Sequence, residues 1–161
     1  VVFGGWRLSC GRELFAPGGG VDGAIHWAAG SGLLEECRTL GGCPTGEARI
    51  TGGYLLPARY VIHTVAPVYG LDPGPESLLA ACYRHCLHLA VEHHIRTIAF
   101  PALGCGAYRF PVQKACKIAI DTILDFLAND QTLEKVYPVV YSAEHYGVYR
   151  AYLDKLAKRS G

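Results

Sequence analysis

Apolar residues recur at three- and four-residue steps over two long stretches, a spacing that places them on one face of a helix. In Pro75–His94 the repeating positions are Leu79, Cys82, Cys86, Leu89 and Ala90, and Pro75 suits a first turn. In Pro111–Ala128 they are Val112, Ala115, Ala119, Ile123 and Phe126 or Leu127. Shorter helices are predicted over Val21–Ala29 and over Ser31–Thr39, the latter with Leu33, Leu34 and Cys37 on one side. Glu144–Lys158 reads as a closing helix. Between these lie short β-branched or apolar runs: Ala48–Thr51, Tyr60–Val65 ahead of Pro67, Thr97–Phe100 stopped by Pro101, and Lys135–Tyr141. Val1–Phe3 and Trp6–Ser9 read as two further strand fragments. Strands alternating with helices predict an α/β domain in which helices cover a largely parallel sheet. Ligands of such sheets sit at the carboxyl ends of the strands. With no repeat, low-complexity segment or linker in view, residues 1–161 are expected to form a single domain.

Composition narrows the function classes. Half of the 161 residues are apolar, enough for a real core. Fifteen basic residues stand against 14 acidic ones, a net charge of +1, so no general pull toward nucleic acid is expected. No apolar run approaches the roughly 18–20 residues that a membrane span needs. The seven cysteines, at 10, 37, 43, 82, 86, 105 and 116, form no CxxC doublet. They read as free thiols of a reducing compartment, and a cytoplasmic location is expected, with the nucleus as well if the source is eukaryotic. The chain has no methionine, even at position 1, so either its start has been processed or it begins inside a longer protein, and the second is expected.

Two loops carry candidate chemistry. Gly18-Gly19-Gly20-Val21-Asp22-Gly23 precedes a helix, and glycines let the backbone turn its N–H groups onto an anion at the helix's positive end. A flexible turn is the plainer reading of such a run. It is neither a dinucleotide fingerprint nor a P-loop. Gly104-Cys105-Gly106-Ala107-Tyr108 is a second small-residue loop at a strand's carboxyl end. Together the two loops suit a diphosphate held by backbone amides rather than by lysines. Asp22 fits two roles, a helix N-cap or a carboxylate that orients a water. Cys105 with His63 is a nucleophile–base candidate, although His63 sits in an apolar strand and reads more simply as a core histidine. His26 reads as packing against the core or lining the pocket. Cys82, His85, Cys86 and His88 have metal-compatible spacing, but Cys82 and Cys86 belong to the apolar face.

The run Gly18–His26 with Ala28-Ala29-Gly30 closely resembles the macrodomain family, in its MacroD-type ADP-ribosyl hydrolase branch. The likeness continues through Leu34–Cys37, Thr45–Ala48, Leu56–Ala58, Tyr60–Val65, and Phe100-Pro101 with Gly106, Tyr108 and Pro111. It implies a three-layer α/β/α fold with a mixed, largely parallel sheet, and binding of ADP-ribose or an ADP-ribosylated protein by a monomer. It also implies hydrolysis of ADP-ribosyl esters or O-acetyl-ADP-ribose, with no metal or redox cofactor. Residue by residue, Gly18, Gly19, Gly20 and Val21 would line the distal ribose and diphosphate. Gly104, Cys105, Gly106, Ala107 and Tyr108 would form the facing wall, Tyr141 would stack on adenine, and Asp22 would be the catalytic acid residue. Where the family carries an Asn-Ala-Ala-Asn-like stretch, this chain reads Leu8–Leu14 without asparagine, so its N-terminal strand region is expected to be divergent or truncated. That departure favours, as the alternative, a reader module that binds ADP-ribose without turning it over. Arg109 stands where the family usually has a glycine; it could reach a phosphate or simply cap the loop.

Overall fold

A computed structural model describes residues 2–4 and 20–160. Five strands and five helices follow in the order β1 (Val2–Gly4), α1 (Gly20–Ala29), α2 (Ser31–Thr39), β2 (Ala48–Gly52), β3 (Tyr60–Thr64), α3 (Pro75–Glu92), β4 (Thr97–Pro101), α4 (Val112–Leu127), β5 (Lys135–Val139) and α5 (Ala143–Ser160). The predicted elements are found with ends shifted by at most two residues, and α2 with none. Val1–Phe3 is present as Val2–Gly4, and the fragment predicted at Trp6–Ser9 lies outside the described residues.

β1 runs parallel to β3 with Val2 opposite Ile62, and β2 runs antiparallel to β3 with Ile50 opposite Ile62. β4 and β5 form a parallel pair with Ile98 opposite Val136. β1 lies beside β4, so the two groups of strands follow one another across the molecule. The three-stranded group is mixed, with β2 its antiparallel member, and the β4–β5 pair is parallel.

β3 shows why the fold has three layers. Successive strand residues point to opposite faces. Val61 packs with Ala29, Leu33 and Cys37 of α1 and α2, whereas Ile62 packs with Leu79, Cys82 and Cys86 of α3. A strand covered on both sides is buried throughout, as Val61 to Thr64 are, and its two polar members are satisfied there, His63 by Thr51 Oγ1 and Thr64 by the carbonyl of Glu47. β5 differs: it is mostly exposed and carries Pro138, which an edge strand tolerates because a ladder donor is not needed on its open side.

α3 and α4 bury the stripes their spacing predicts. Leu79, Cys82, Cys86 and Ala90 on α3, and Ala115, Ala119 and Ile123 on α4, join Phe100 and Ile98 in the main core. α5 closes a smaller cluster, Tyr149 packing on Val112, Cys116 and Ile120. The six described cysteines are free thiols, five of them buried. Among the described residues no helix is long and apolar enough to cross a membrane.

Candidate functional site

A cleft of about 870 Å³ opens at the carboxyl ends of β4 and β5, the place where an α/β sheet leaves room for a ligand. Its floor is Phe100–Ala102, where β4 ends. One wall is the start of α1, with Gly20, Val21 and Ala24. The other runs from Cys105 and Gly106 to Tyr141 and His145. Its volume lies in the range of small-molecule sites.

The sequence decides which face of α1 looks into this cleft. At 3.6 residues per turn, Gly20, Val21 and Ala24 fall on one side, and Asp22, His26 and Ala29 fall on the opposite, buried side. Asp22 is 4% exposed, and its Oδ1 lies 3.8 Å from His26 Nε2, one turn on. A carboxylate in the first turn is favoured by the helix's positive end. The N–H groups of a first helical turn have no intrahelical acceptor. Among the described residues, those of Gly20 and Val21, at the cleft wall, donate to nothing.

The facing loop is folded by its own backbone. Cys105 N–H donates to Ala102 O at 3.3 Å, Arg109 N–H to Gly106 O at 3.0 Å, and Phe110 N–H to Gly104 O at 2.9 Å. Gly104 adopts φ +77°, and an added Cβ there would meet Phe110 Cβ at 3.4 Å, so glycine lets the chain double back on the core. These turns leave the amides of Gly106 and Ala107 without an acceptor among the described residues. The cleft is mainly apolar, with main-chain donors on two sides that have no acceptor among the described residues. That combination suits a ligand with a flat ring system joined to a compact anion.

Of the residues singled out from sequence, Gly20, Val21, Cys105, Gly106 and Tyr141 line the cleft together. Tyr141 follows β5 and is fully exposed, its ring open to whatever enters. Gly104 and Tyr108 shape the loop from behind, and Tyr108 packs on the main core while its carbonyl accepts from Tyr69 N–H at 2.9 Å. Ala107 is exposed at the loop's outer turn. Arg109 is exposed beside it at φ +57°. Gly18 and Gly19 lie outside the described residues, as do Leu8–Leu14. The sequence reading missed Ala24, Ala99, Val139, Val140 and His145. Ala24 was legible from the helical period of α1, and Val139 and Val140 from the rule of strand carboxyl ends. His145 carried no signal.

The other candidates sit elsewhere. His63 Nε2 shares a hydrogen bond with Thr51 Oγ1 at 2.8 Å, and both ring nitrogens lie about 4 Å from Cys37 Sγ. Burial, helped by nearby His26, lowers the His63 pKa to about 3, so the ring is neutral. Burial likewise pushes the Cys37 thiol up to about 12 and the Cys105 thiol up to about 11. Cys105 is therefore a thiol at neutral pH, ill suited to nucleophilic attack. On α3, His85 donates from Nδ1 to Gly46 O at 2.7 Å, and His88 sits edge-on to Phe126.

A family model described as the Macro domain matches residues 11–119. The ADP-ribose glycohydrolase MACROD2 of Xenopus laevis is 45% identical over 147 residues, which cover 89% of this chain and 35% of that protein. A solved Oceanobacillus iheyensis macrodomain with ADP superimposes with a TM-score of 0.86 at 39% identity, covering 90% of this chain and 80% of the other. A Trypanosoma brucei macrodomain in complex with ADP-ribose gives a TM-score of 0.81 at 41% identity, covering 86% and 59% respectively.

Proposed function

This chain belongs to the Macro domain family, and from that premise we propose that its cleft binds ADP-ribose and that the protein hydrolyses ADP-ribosyl esters. The observation that carries the reading is the pairing of an apolar cleft with amides at Gly20 and Val21 on one side and Gly106 and Ala107 on the other that have no acceptor among the described residues. A diphosphate bridges those two walls and accepts from both, with the positive end of α1 adding to the attraction. Adenine stacks on the open ring of Tyr141, where an offset aromatic pair is worth about 0.5–1.5 kcal/mol beyond burial. The distal ribose then lies toward α1, where Gly18 and Gly19 precede the first helical residue.

In the hydrolytic reading the substrate is an ester joining ADP-ribose to an aspartate or glutamate of a mono-ADP-ribosylated protein, or the acetyl ester of ADP-ribose. Water splits it into ADP-ribose and the free carboxylic acid. Asp22 is buried on the side of α1 away from the cleft, so its role is a positioning one: it fixes the first turn of α1, whose amides face the ester. A carboxylate held behind the helix turn acts by orientation rather than by taking the water's proton. The relative named ADP-ribose glycohydrolase supports this reading.

A second reading, a binding module without turnover, is favoured by one feature: the only asparagine in the chain is Asn129, at the far end of α4. The two readings separate in one experiment. ADP-ribose release from a mono-ADP-ribosylated protein is measured alongside calorimetric binding, for the native chain and for Asp22→Asn. Hydrolysis predicts release by the native chain and at least a hundredfold loss in Asp22→Asn, about 2.7 kcal/mol of barrier, with ADP-ribose affinity within a few fold. Binding without release, at high protein concentration, assigns the module. A lack of binding by the folded native chain refutes both.

A further inference from the structure

We propose a second ligand site, for a nucleoside phosphate, in a cleft of about 440 Å³ at the opposite end of the sheet from the site described above. It opens where β3 and β4 begin, at Tyr60 and Thr97, and β5 contributes Tyr137. Its lining brings together Arg59, Arg96, His93 and His94 with the rings of Tyr60 and Tyr137, and it includes no acidic residue. The near-neutral charge of the whole chain conceals this cluster, whose nearest paired carboxylate, Glu134 on Arg96, lies outside the lining.

The parts match the two halves of a nucleotide. The Arg59 guanidinium carbon sits 5.3 Å from the centre of the Tyr60 ring, and His93 meets the same ring edge-on at 5.8 Å. Tyr60 thus anchors two cationic or ionisable groups at the rim. Arg96 gives one guanidinium nitrogen to Glu134 at 3.1 Å, and a guanidinium carries five N–H donors, so the fork keeps donors for a phosphate. Its backbone is fixed as well, the carbonyl accepting from the N–H of Glu134 and of Lys135. Tyr137 is half-exposed on an edge strand and offers a flat face to a base.

The carboxyl end of α3 points here, and its negative end would ordinarily repel an anion. That end is already capped. Leu89 O accepts from His93, both from its N–H and from its Nδ1, Ala90 O accepts from Ile95 N–H, and Val91 O accepts from His94 N–H. With φ at +53°, His94 turns the chain so that these carbonyls are covered and His93 and His94 line the cleft. Guanidinium forks beside an open aromatic ring recognise a phosphate joined to a base. The same chemistry is presented by a free nucleotide and by the 5′-phosphorylated end of an oligonucleotide.

The test is a residue-resolved NMR titration of the full chain with GMP, inorganic phosphate and 5′-phosphorylated tetrathymidylate, in the presence of one molar equivalent of ADP-ribose, whose own shifts are recorded first. The expected result is that GMP or the oligonucleotide shifts the amides of Tyr60, His93 to Thr97 and Tyr137, with affinity about tenfold or more above that of phosphate. The tighter of the two names the source. In the double variant Arg59→Gln, Arg96→Gln the affinity falls by at least about tenfold, and Tyr137→Ala brings nucleotide affinity down to that of phosphate. Both arginines are exposed, and the unchanged amide spectrum of the remaining core reports that the variants fold. Absent shifts around this cleft overturn the proposal, as do shifts that persist unchanged in the double variant. Phosphate binding as tightly as GMP also overturns it. Because each cleft is read from its own amides, failure of ADP-ribose to bind elsewhere is seen separately.

Discussion

His63 illustrates how a single side chain couples burial to pH. Its ring lies between Thr51 and Cys37 beneath α1 and α2, where water cannot stabilise a positive charge. The folded-state pKa of about 3 is below the unfolded value near 6.5. Between those values the unfolded chain takes up a proton that the folded chain refuses, so stability falls as pH drops from about 6.5 toward 3 and is fully present above that window. The predicted loss is on the order of a few kcal/mol by pH 4. Urea unfolding at pH 7, 5.5 and 4 should show it, with a shallower slope for His63→Gln. Equal slopes would assign the acid sensitivity to other groups. Cys105 makes the companion point about thiols. With its pKa raised to about 11, it should react with iodoacetamide at pH 7.5 far more slowly than an unperturbed thiol. Alkylation at the rate of free cysteine would contradict the burial described for it.

At the scale of elements, the turns around the sheet depend on glycines in different ways. Gly53 sits where an added Cβ would lie 1.7 Å from Ala58 O, so Gly53→Ala must spread the β2–β3 turn, which Gly53 N–H closes onto Arg59 O at 3.0 Å. A loss of about 2–3 kcal/mol is expected, read by chemical denaturation. Gly104→Ala is milder in contact but strained in backbone, and should cost about 1–2 kcal/mol. It should also weaken ligand binding, because the loop that presents Gly106 and Ala107 pivots there. Unchanged stability in either variant would show that the turn relaxes more freely than its geometry implies. The long elements were legible in the sequence because each encodes its own period: α3 and α4 bury the stripes that their apolar spacing marks out. The cleft was legible only in part. Gly20 and Val21 announce themselves as the glycine-led start of a helix, and Cys105 and Gly106 as small residues in a turn, whereas Ala99 and His145 become wall residues only when separate elements meet. Asp22 shows the same limit. Its place beside a glycine run suggests a group facing the ligand, yet the period of α1 carries it to the side shared with His26 and Ala29.

For the whole molecule, the consequence is a separation of tasks between the two ends of the strands. The carboxyl ends of β4 and β5 gather apolar walls and main-chain donors, and the beginnings of β3 and β4 gather arginines, histidines and tyrosines. A near-neutral chain can in this way hold an anionic ligand without a lysine cluster, because donors fixed in turns cost little further ordering when the ligand arrives. The most direct test of that claim is the crystal structure of the chain with ADP-ribose. The account predicts diphosphate oxygens within about 3 Å of the amide nitrogens of Val21 or Gly20 on one side and Gly106 or Ala107 on the other, with adenine against Tyr141. A diphosphate gripped by arginine or lysine side chains, or an ADP-ribose seated away from these two turns, would contradict it.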